Sequence, residues 1–246
     1  MVSEDIVRFN KKLTKEYFFS NSYSVVIADI DRDAGLKFEK KIGSLNLKFI
    51  PTDVSKESDV INLVKETINS FGHLNCLINN ASITSPYLKK TLEETSFEEW
   101  NNYINTNLNS VFFCSKHCIP FLKQQEKSSI VNISSTRALM SEKNTEGYSA
   151  SKGAVLSLTH SMAISLNGSV YVNSISPGWI DVSQFQNQHS NFVPSKKDHE
   201  QHPSGRVGHP KDIAELCNFL ITQNGFINGQ NFICDGGMTK KMIYDE

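Results

Sequence analysis

Short runs of apolar residues alternate along this chain with longer segments whose apolar residues recur at helical spacing. The runs span residues 24–30, 47–54, 74–82, 128–135, 170–178 and 230–237, and the helical segments span 34–42, 56–71, 97–125, 147–167 and 210–222. Continuous apolar runs are typical of strands buried on both faces, and parallel strands need long, right-handed crossovers. We therefore predict one α/β domain over residues 1–246, a doubly wound parallel sheet with helices on both faces.

The composition excludes several classes of partner. The chain has 246 residues, of which 39% are hydrophobic, and this is enough to bury the core of one large domain. A formal net charge of -1 provides no broad basic surface, so we expect no nucleic acid and no membrane as partner. No apolar run reaches the roughly 18 residues of a membrane span, and the first residues are too charged for a signal peptide. We therefore expect a cytoplasmic protein.

The cysteines show no pattern of a metal site or a disulfide framework. They are Cys76, Cys114, Cys118, Cys217 and Cys234, and no CxxC pair or histidine at ligand spacing accompanies them. Cys114 and Cys118 share one face of a predicted helix, which leaves a metal interpretation open, but no nearby His or Asp completes a ligand set. We predict buried thiols and no metal.

Two acidic residues follow the first two predicted strands. Ligands of such sheets bind beyond the carboxyl ends of the strands. Asp29 ends the run VVIAD, and its carboxylate can accept hydrogen bonds from both hydroxyls of an adenosine ribose. Asp53 and Val54 are suited to hold an adenine amino group and to pack against its ring. A helix cap remains the alternative for either acid, and a solvated charge is a further alternative for Asp29.

Other strand ends carry groups that also suit a ligand. The stretch INNAS places Asn80 and Ala81 where backbone can approach a ligand closely, and buried amides need hydrogen-bonding partners. The stretch SISPGWID turns the chain at Pro177 and Gly178, so that the backbone near Ile180 faces the same rim. Small residues and Pro-Gly are also common turn formers, and a purely structural role stays open for each.

The stretch EGYSASKGAV places Tyr148 and Lys152 four positions apart, on one face of a predicted helix. A phenol is a poor base at neutral pH, but a neighbouring ammonium favours the phenolate and lowers its pKa toward the range of general acid/base catalysis. The pair alone is a weak motif. It is strengthened by Ser135, which follows a strand, and by Asn107, which lies within a predicted helix.

Together these residues resemble the classical short-chain dehydrogenases/reductases, over residues 24–239. NNAS resembles the NNAG motif of that family, SPGWI its PG turn, and INGQNFICDGGMT its closing strand. Asn107, Ser135, Tyr148 and Lys152 match its helix asparagine, its serine and its YxxxK pair. The resemblance implies a Rossmann-type fold and a nicotinamide-dependent oxidoreductase that acts on a small alcohol or carbonyl compound.

The resemblance also implies a role for each residue. Tyr148 would move a proton to or from the substrate oxygen, and Ser135 would orient that oxygen. Lys152 would lower the pKa of the tyrosine and hold the nicotinamide ribose, while Asn107 would anchor a water that links Lys152 to solvent. Asp29 favours NAD over NADP, because a carboxylate repels a 2′-phosphate. The predicted catalytic residues are Asn107, Ser135, Tyr148 and Lys152, and the predicted cofactor-binding residues are Asp29, Asp53, Val54, Asn80, Ala81, Tyr148, Lys152, Pro177, Gly178 and Ile180.

Residues 1–23 depart from the pattern of the family. Its first strand and glycine-rich TGxxxGxG turn are expected where this sequence reads MVSEDIVRFNKK, and no glycine precedes Gly35. We therefore predict that the first strand is absent or irregular, unless residues 6–9 (IVRF) fill the gap as a short strand. Without glycine, the backbone crowds the position of a pyrophosphate at the start of the next helix, so we expect weak dinucleotide binding.

Two alternatives to an active enzyme stay open at this point. The chain can be a non-catalytic scaffold that has lost dinucleotide binding, or an N-terminally altered gene product. The retained asparagine, serine, tyrosine and lysine favour an enzyme or an altered product, because a scaffold needs none of them.

The polar stretch 182–209 interrupts the alternation, and we predict that it is a substrate lid or loop. Its glutamines, lysines and His189 favour a small polar alcohol such as a sugar or polyol. The two helices that carry Asn107 and Tyr148 have apolar residues on both sides, which predicts a homodimer or homotetramer. The apolar residues in question are Val111, Phe112, Ile119, Val155, Leu158 and Met162.

Overall fold

Seven parallel strands form one sheet in the parts of the chain that the computed structural model describes, which are residues 5–9, 23–84, 90–183, 192–222 and 225–242. The strands are β1 Asp5–Phe9, β2 Ser24–Asp29, β3 Leu47–Pro51, β4 Cys76–Asn79, β5 Ser129–Ile133, β6 Tyr171–Pro177 and β7 Asn231–Cys234. The helices are α1 Arg32–Ile42, α2 Glu57–Phe71, α3 Phe97–Ile104, α4 Ser110–Leu122, α5 Glu146–Leu166, α6 Lys196–Glu200 and α7 Pro210–Thr222. The predicted α/β fold with a doubly wound parallel sheet is confirmed.

The strand order is β3-β2-β1-β4-β5-β6-β7, so β1 lies between β2 and β4. Ile6 pairs with Val25 on one side and with Cys76 on the other. The sheet therefore does not lack its first strand, and the alternative in which residues 6–9 fill the gap is the one found. The predicted glycine-free turn and the helix-like segment after it fall within residues 10–22, outside the described residues.

The sheet separates two apolar cores, because successive side chains of a strand point to opposite faces. In β2, Val26 and Ala28 pack in one core, which also contains apolar residues of α2, α4 and α5. Val25 and Ile27 pack in the other core, which contains apolar residues of α1 and α7. All four side chains are 1% exposed or less, which explains why the strand reads as an unbroken apolar run.

The helix predicted over residues 97–125 is divided in two by a π-helical turn. α3 ends at Ile104, residues 105–109 form the π turn, and α4 starts at Ser110. A π turn inserts one extra residue into a helix, so apolar periodicity does not reveal it. Asn107, which matched the family asparagine, lies in the middle of this turn and is 1% exposed.

Four of the five cysteines are buried, as predicted, and Cys234 is partly exposed. Burial raises the pKa of Cys118 to about 12 and raises that of Cys114 as well, so both are neutral thiols. In the described parts of the chain, no three His, Cys, Asp or Glu side chains are grouped so that they could hold a metal ion. None of the helices described is long and apolar enough to cross a bilayer.

Candidate active site

A cavity of about 600 Å³ opens beyond the carboxyl ends of β4, β5 and β6. It brings together seven of the residues predicted from the sequence: Asn80, Ser135, Tyr148, Lys152, Pro177, Gly178 and Ile180. The other five, Asp29, Asp53, Val54, Ala81 and Asn107, lie outside its wall. The cavity therefore lies beyond the carboxyl ends of the strands, as the sequence predicted, but not every predicted residue faces it.

Ser135 and Tyr148 form the chemical centre of this cavity. Ser135 follows β5 and accepts a hydrogen bond from the backbone N–H of Arg137 at 3.1 Å, which fixes a short turn. Tyr148 lies in the first turn of α5. Burial raises the pKa of Tyr148, while a hydrogen bond from Ser135 and the positive charge of Arg137 lower it in part. The phenol is therefore protonated at neutral pH.

Lys152 lies one helical turn after Tyr148 and is 2% exposed. Its Nζ donates to the carbonyl oxygen of Ile133 at 2.8 Å and lies 5.8 Å from the centroid of the Tyr148 ring. Burial lowers the pKa of Lys152 to about 7. The lysine is thus only partly charged at neutral pH. The sequence predicted that its charge brings the tyrosine pKa below the usual value, but here burial outweighs every lowering contribution to that pKa.

The side-chain amide of Asn107 joins two parts of the site. Its Oδ1 accepts the N–H of Ile83 at 2.8 Å, and its Nδ2 donates to the carbonyl oxygen of Ile83 at 3.1 Å. Nδ2 also donates to Oγ of Ser151 at 3.0 Å, and Ser151 donates to the carbonyl oxygen of Tyr148. Asn107 therefore holds the segment after β4 against the helix that carries the tyrosine. Its link to Lys152 through a water stays a prediction.

The two asparagines at the end of β4 have different positions. Asn79 is buried, and its Nδ2 donates to Oδ1 of Asn132 at 2.8 Å. Asn132 in turn donates to Oγ1 of Thr159 at 2.9 Å, so a buried polar chain joins β4, β5 and α5. Asn80 lines the cavity, whereas Ala81 borders a small gap that Val54 and Asn79 also line.

The two acidic residues lie at the ends of β2 and β3, on the side of the sheet where the sequence placed them. Oδ1 of Asp29 accepts the N–H of Asp31 at 3.0 Å. Asp53 accepts hydrogen bonds from the N–H and the hydroxyl of Ser55, and its Oδ2 lies 3.3 Å from Nζ of Lys56. Burial raises the pKa of Asp53, but these hydrogen bonds and this charge outweigh it, so the pKa is lowered. Both acids therefore stabilise the turns that follow their strands.

The turn after β6 is held against the end of β7. The N–H of Gly178 donates to the carbonyl oxygen of Cys234 at 3.0 Å. A Cβ atom at Gly178 would lie 2.7 Å from Cβ of Asp235 and 2.9 Å from its Cα, closer than side chains pack. Glycine is therefore required here for packing, and it places Ile180 in the cavity wall.

The described part of the predicted lid contacts this wall. Val182 and Gln201 line the cavity, and the rings of Trp179 and Phe192 lie 6.1 Å apart. Oγ of Ser183 donates to the carbonyl oxygen of Phe192 at 3.3 Å. Residues 184–191, which include the glutamines and His189 that favoured a sugar, lie outside the described residues.

Sequence reasoning missed two prominent residues of the cavity, Arg137 and Trp179. Arg137 stands two positions after Ser135, and Trp179 follows directly after Gly178. A basic residue so close to a predicted catalytic serine was the available signal. It was overlooked because the family motif does not include it.

Comparison with known proteins now identifies the family. The family model described as enoyl-(acyl carrier protein) reductase matches residues 16–239. An uncharacterized oxidoreductase of Thermotoga maritima is 45% identical over 238 residues, which cover 94% of this chain and 92% of that protein. The chain belongs to the short-chain dehydrogenase/reductase family of oxidoreductases.

Two further members of the short-chain dehydrogenase/reductase family support the assignment. The NADP-dependent (R)-specific alcohol dehydrogenase of Lentilactobacillus kefiri is 31% identical, over 90% of this chain and 89% of that protein. The structure of an apo SCOR enzyme from Clostridium thermocellum superposes with a TM-score of 0.87 at 33% identity, over 99% of this chain and 96% of the other. The likeness therefore extends over nearly the whole chain.

The nicotinamide dinucleotide that this family uses fits the residues present. Asp29 and Asn80 follow β2 and β4 at the same end of the sheet, and the cavity at that end is lined by Asn80 and Lys152. These groups match the polar groups of an extended dinucleotide, and the cavity volume is in the range of small-molecule sites. The residues that would form the pyrophosphate turn fall within the undescribed segment 10–22.

Proposed function

We propose that this oxidoreductase interconverts small alcohols and carbonyl compounds with NAD(H), and that Tyr148 is its general acid/base. The observation that carries the proposal is that Ser135 and Tyr148 line the wall of the same cavity, with Lys152 one helical turn after the tyrosine. A buried phenol with a raised pKa holds its proton at neutral pH. It can therefore donate that proton to a ketone oxygen, while Ser135 hydrogen-bonds the same oxygen and orients it.

The other residues support this exchange. The nicotinamide, when bound, supplies or accepts the hydride. Lys152 would hold the nicotinamide ribose, Pro177 and Ile180 would pack beside the ring, and Asp53 and Val54 would contact the adenine. Because Lys152 has a pKa of about 7 in the cofactor-free protein, a neighbouring polar group that stabilises the ammonium would increase its charge and so favour the phenolate.

The test is Tyr148→Phe, measured with NADH and NADPH on a panel of ketones and sugar alcohols. The phenyl ring keeps the packing, so the melting temperature should stay close to that of the parent, while turnover falls by about 100-fold or more. Tyr171→Phe, at the amino end of β6 and away from the cavity, is the matched control and should keep full turnover. Full activity in Tyr148→Phe would refute the assigned acid/base.

A non-catalytic scaffold is the second candidate, and it is favoured by the absence of glycine from the sequence between β1 and β2. This candidate predicts that neither NADH nor NADPH raises the melting temperature, even at millimolar concentration. A rise with either dinucleotide would exclude it.

We further propose that the protein forms a homodimer or homotetramer. Val111 and Val155 are two of the residues predicted to form the contact between subunits. They lie in the core instead, at 3% and 0% exposure. Phe112 on α4 and Ile164 on α5 are 48% and 80% exposed, and both are large apolar side chains. Sedimentation should give a species of two or four chains at micromolar concentration. A monomer under these conditions would contradict the proposal.

A further inference from the structure

Arg137 lies at the cavity beside the reacting centre, without a place in the chemistry described above. The turn Thr136–Ala138 keeps it next to Ser135, whose Oγ accepts its backbone N–H at 3.1 Å. Its side chain is 25% exposed and belongs to the cavity wall together with Tyr148. Its charge acts on the phenol, because it lowers the pKa of Tyr148. Arg137 therefore lines the same cavity as the two residues that would hold a substrate oxygen.

Among the residues that line the described cavity, the charged ones are Arg137, Glu142 and Lys152. Lys152 is buried, and its Nζ donates to the carbonyl oxygen of Ile133. Glu142 is an acid whose side chain is 72% exposed. Within this wall, Arg137 is thus the permanent positive charge within reach of an entering substrate.

The ion pair between Arg137 and Glu142 can be replaced by an ion pair between Arg137 and a ligand. Nη2 of Arg137 lies 2.6 Å from Oε1 of Glu142. A pair whose carboxylate is mostly in solvent contributes little to stability, so Glu142 can turn away into water at little cost. A guanidinium has five N–H donors and binds a carboxylate with two parallel hydrogen bonds. A ligand carboxylate can therefore replace Glu142.

We propose that the substrates of this site carry a carboxylate a few bonds from the reacting carbon, and that Arg137 binds it in place of Glu142. The chemical class is the short hydroxy acids and the oxo acids formed from them. Trp179, Val182 and Met238 give the remaining wall an apolar part that suits a short carbon chain. The inference rests on the proposed function, since it specifies which alcohols and ketones use the site, and it replaces the neutral polyol that the sequence favoured.

Arg137 could instead act only through its charge on Tyr148. That role would change the turnover of charged and neutral substrates by the same factor and would shift the pH profile of both. Binding of a substrate carboxylate would change the two classes of substrate by different factors. Comparing a charged substrate with a neutral substrate of nearly the same shape therefore separates the two roles.

The experiment uses two pairs that differ in charge but hardly in shape, pyruvate with pyruvamide and acetoacetate with acetoacetamide, each with NADH and NADPH. The parent should reduce at least one acid with a lower KM than its amide. Arg137→Gln should raise the KM of the acid by about tenfold or more and change that of the amide by less than about threefold. Glu142→Gln should lower the KM of the acid, because the competing carboxylate is gone.

The matched control is Arg206→Gln. Arg206 is also paired with a carboxylate, that of Asp212 at 2.7 Å, but it does not line the cavity. This variant should leave both KM values unchanged. Equal losses for acid and amide in Arg137→Gln, or a parent that prefers the amides, would overturn the inference while leaving the proposed function intact.

Saturation-transfer NMR on the same acids and amides gives a readout that does not need turnover. The acid should show the stronger signal with the parent protein and lose that advantage in Arg137→Gln. If neither these compounds nor the panel of ketones and sugar alcohols is turned over but this pattern is found, the proposed function fails and the carboxylate site stands. If acid and amide bind equally, the carboxylate site is refuted.

Discussion

Asn107, in the middle of the π-helical turn, donates a hydrogen bond to the hydroxyl of Ser151, and Ser151 donates to the carbonyl oxygen of Tyr148. The π turn and the proposed acid/base, Tyr148, thus belong to one hydrogen-bonded unit. The same amide closes two hydrogen bonds with Ile83, so the unit also fixes the segment that follows Asn80.

Asn107→Ala should therefore reduce both stability and turnover. The change leaves the backbone groups of Ile83 and the hydroxyl of Ser151 without these hydrogen bonds, and we expect unfolding to become easier by about 2 kcal/mol. Asn109→Ala is the control on the same turn, because the hydrogen bond described for its amide goes to the exposed Asn105, and it should change stability by less than about 0.5 kcal/mol. Denaturant unfolding measures the stability of both variants, and equal losses of stability would contradict the role given to Asn107.

Lys152→Met should stabilise the cofactor-free protein in a pH-dependent way. Burial lowers the pKa of Lys152 from the usual 10.5 to about 7, so the folded state disfavours the ammonium. Below pH 7 both the folded and the unfolded protein carry the charge, and the full cost of burying it is present. Between about pH 7 and 10.5 the unfolded protein binds the extra proton, so the unfolding free energy of the parent rises with pH.

Methionine removes this cost, so the variant should be more stable by up to about 5 kcal/mol at pH 6, with a difference that shrinks toward pH 10. The measurement is urea unfolding at several pH values without dinucleotide. Lys123→Met, at an exposed position after α4, should give a curve parallel to that of the parent. A stabilisation that does not change with pH would disprove the linkage to Lys152.

Gly178→Ala should damage the cavity. The added methyl group would meet backbone and Cβ atoms of Asp235 at less than 3 Å, so the turn after β6 has to move. We expect a loss of about 1–3 kcal/mol of stability and weaker dinucleotide binding. Gly153→Ala on α5 meets no atom within 4 Å and should stabilise the helix by about 0.5–1 kcal/mol. Thermal unfolding with and without NADH distinguishes the two variants.

Asp29 should decide the preference between the two dinucleotides. Its carboxylate would accept hydrogen bonds from two ribose hydroxyls but repel a 2′-phosphate. Asp29→Asn removes the charge and keeps an oxygen for the N–H of Asp31, so we expect the preference for NADH over NADPH to narrow by about tenfold without loss of the turn. Melting temperatures titrated to millimolar NADH and NADPH provide the test. A larger shift with NADPH in the parent protein would refute this role.

The central strands β2, β4 and β5 could be predicted because each is buried on both faces, which makes it a nearly continuous apolar run. The rim residues follow from the strand ends, so Ser135 and Gly178 could be predicted from the sequence. Periodicity cannot register one inserted residue, and the π turn at Asn107 was missed for that reason.

The sequence also does not provide the depth at which each side chain is buried. The charge of Lys152 was assigned from its residue type, but its pKa depends on its nearly complete removal from solvent. The two successive asparagines at the end of β4 looked equivalent in the sequence. Only the position of Asn132 on the next strand shows that Asn79 belongs to the interior and Asn80 to the cavity.

The buried amides of Asn79 and Asn132 also affect how the sheet assembles. The two residues are opposite each other in the parallel pairing of β4 with β5. If one strand shifted by a single residue, its side chains would change face, the hydrogen bond between the two amides would be lost, and the amide of the shifted strand would be buried away from its partners. Neighbouring apolar runs alone would tolerate several alignments. The asparagine pair therefore discriminates against mispaired strands during folding, and its loss should increase aggregation on refolding more than it lowers the stability of the folded protein.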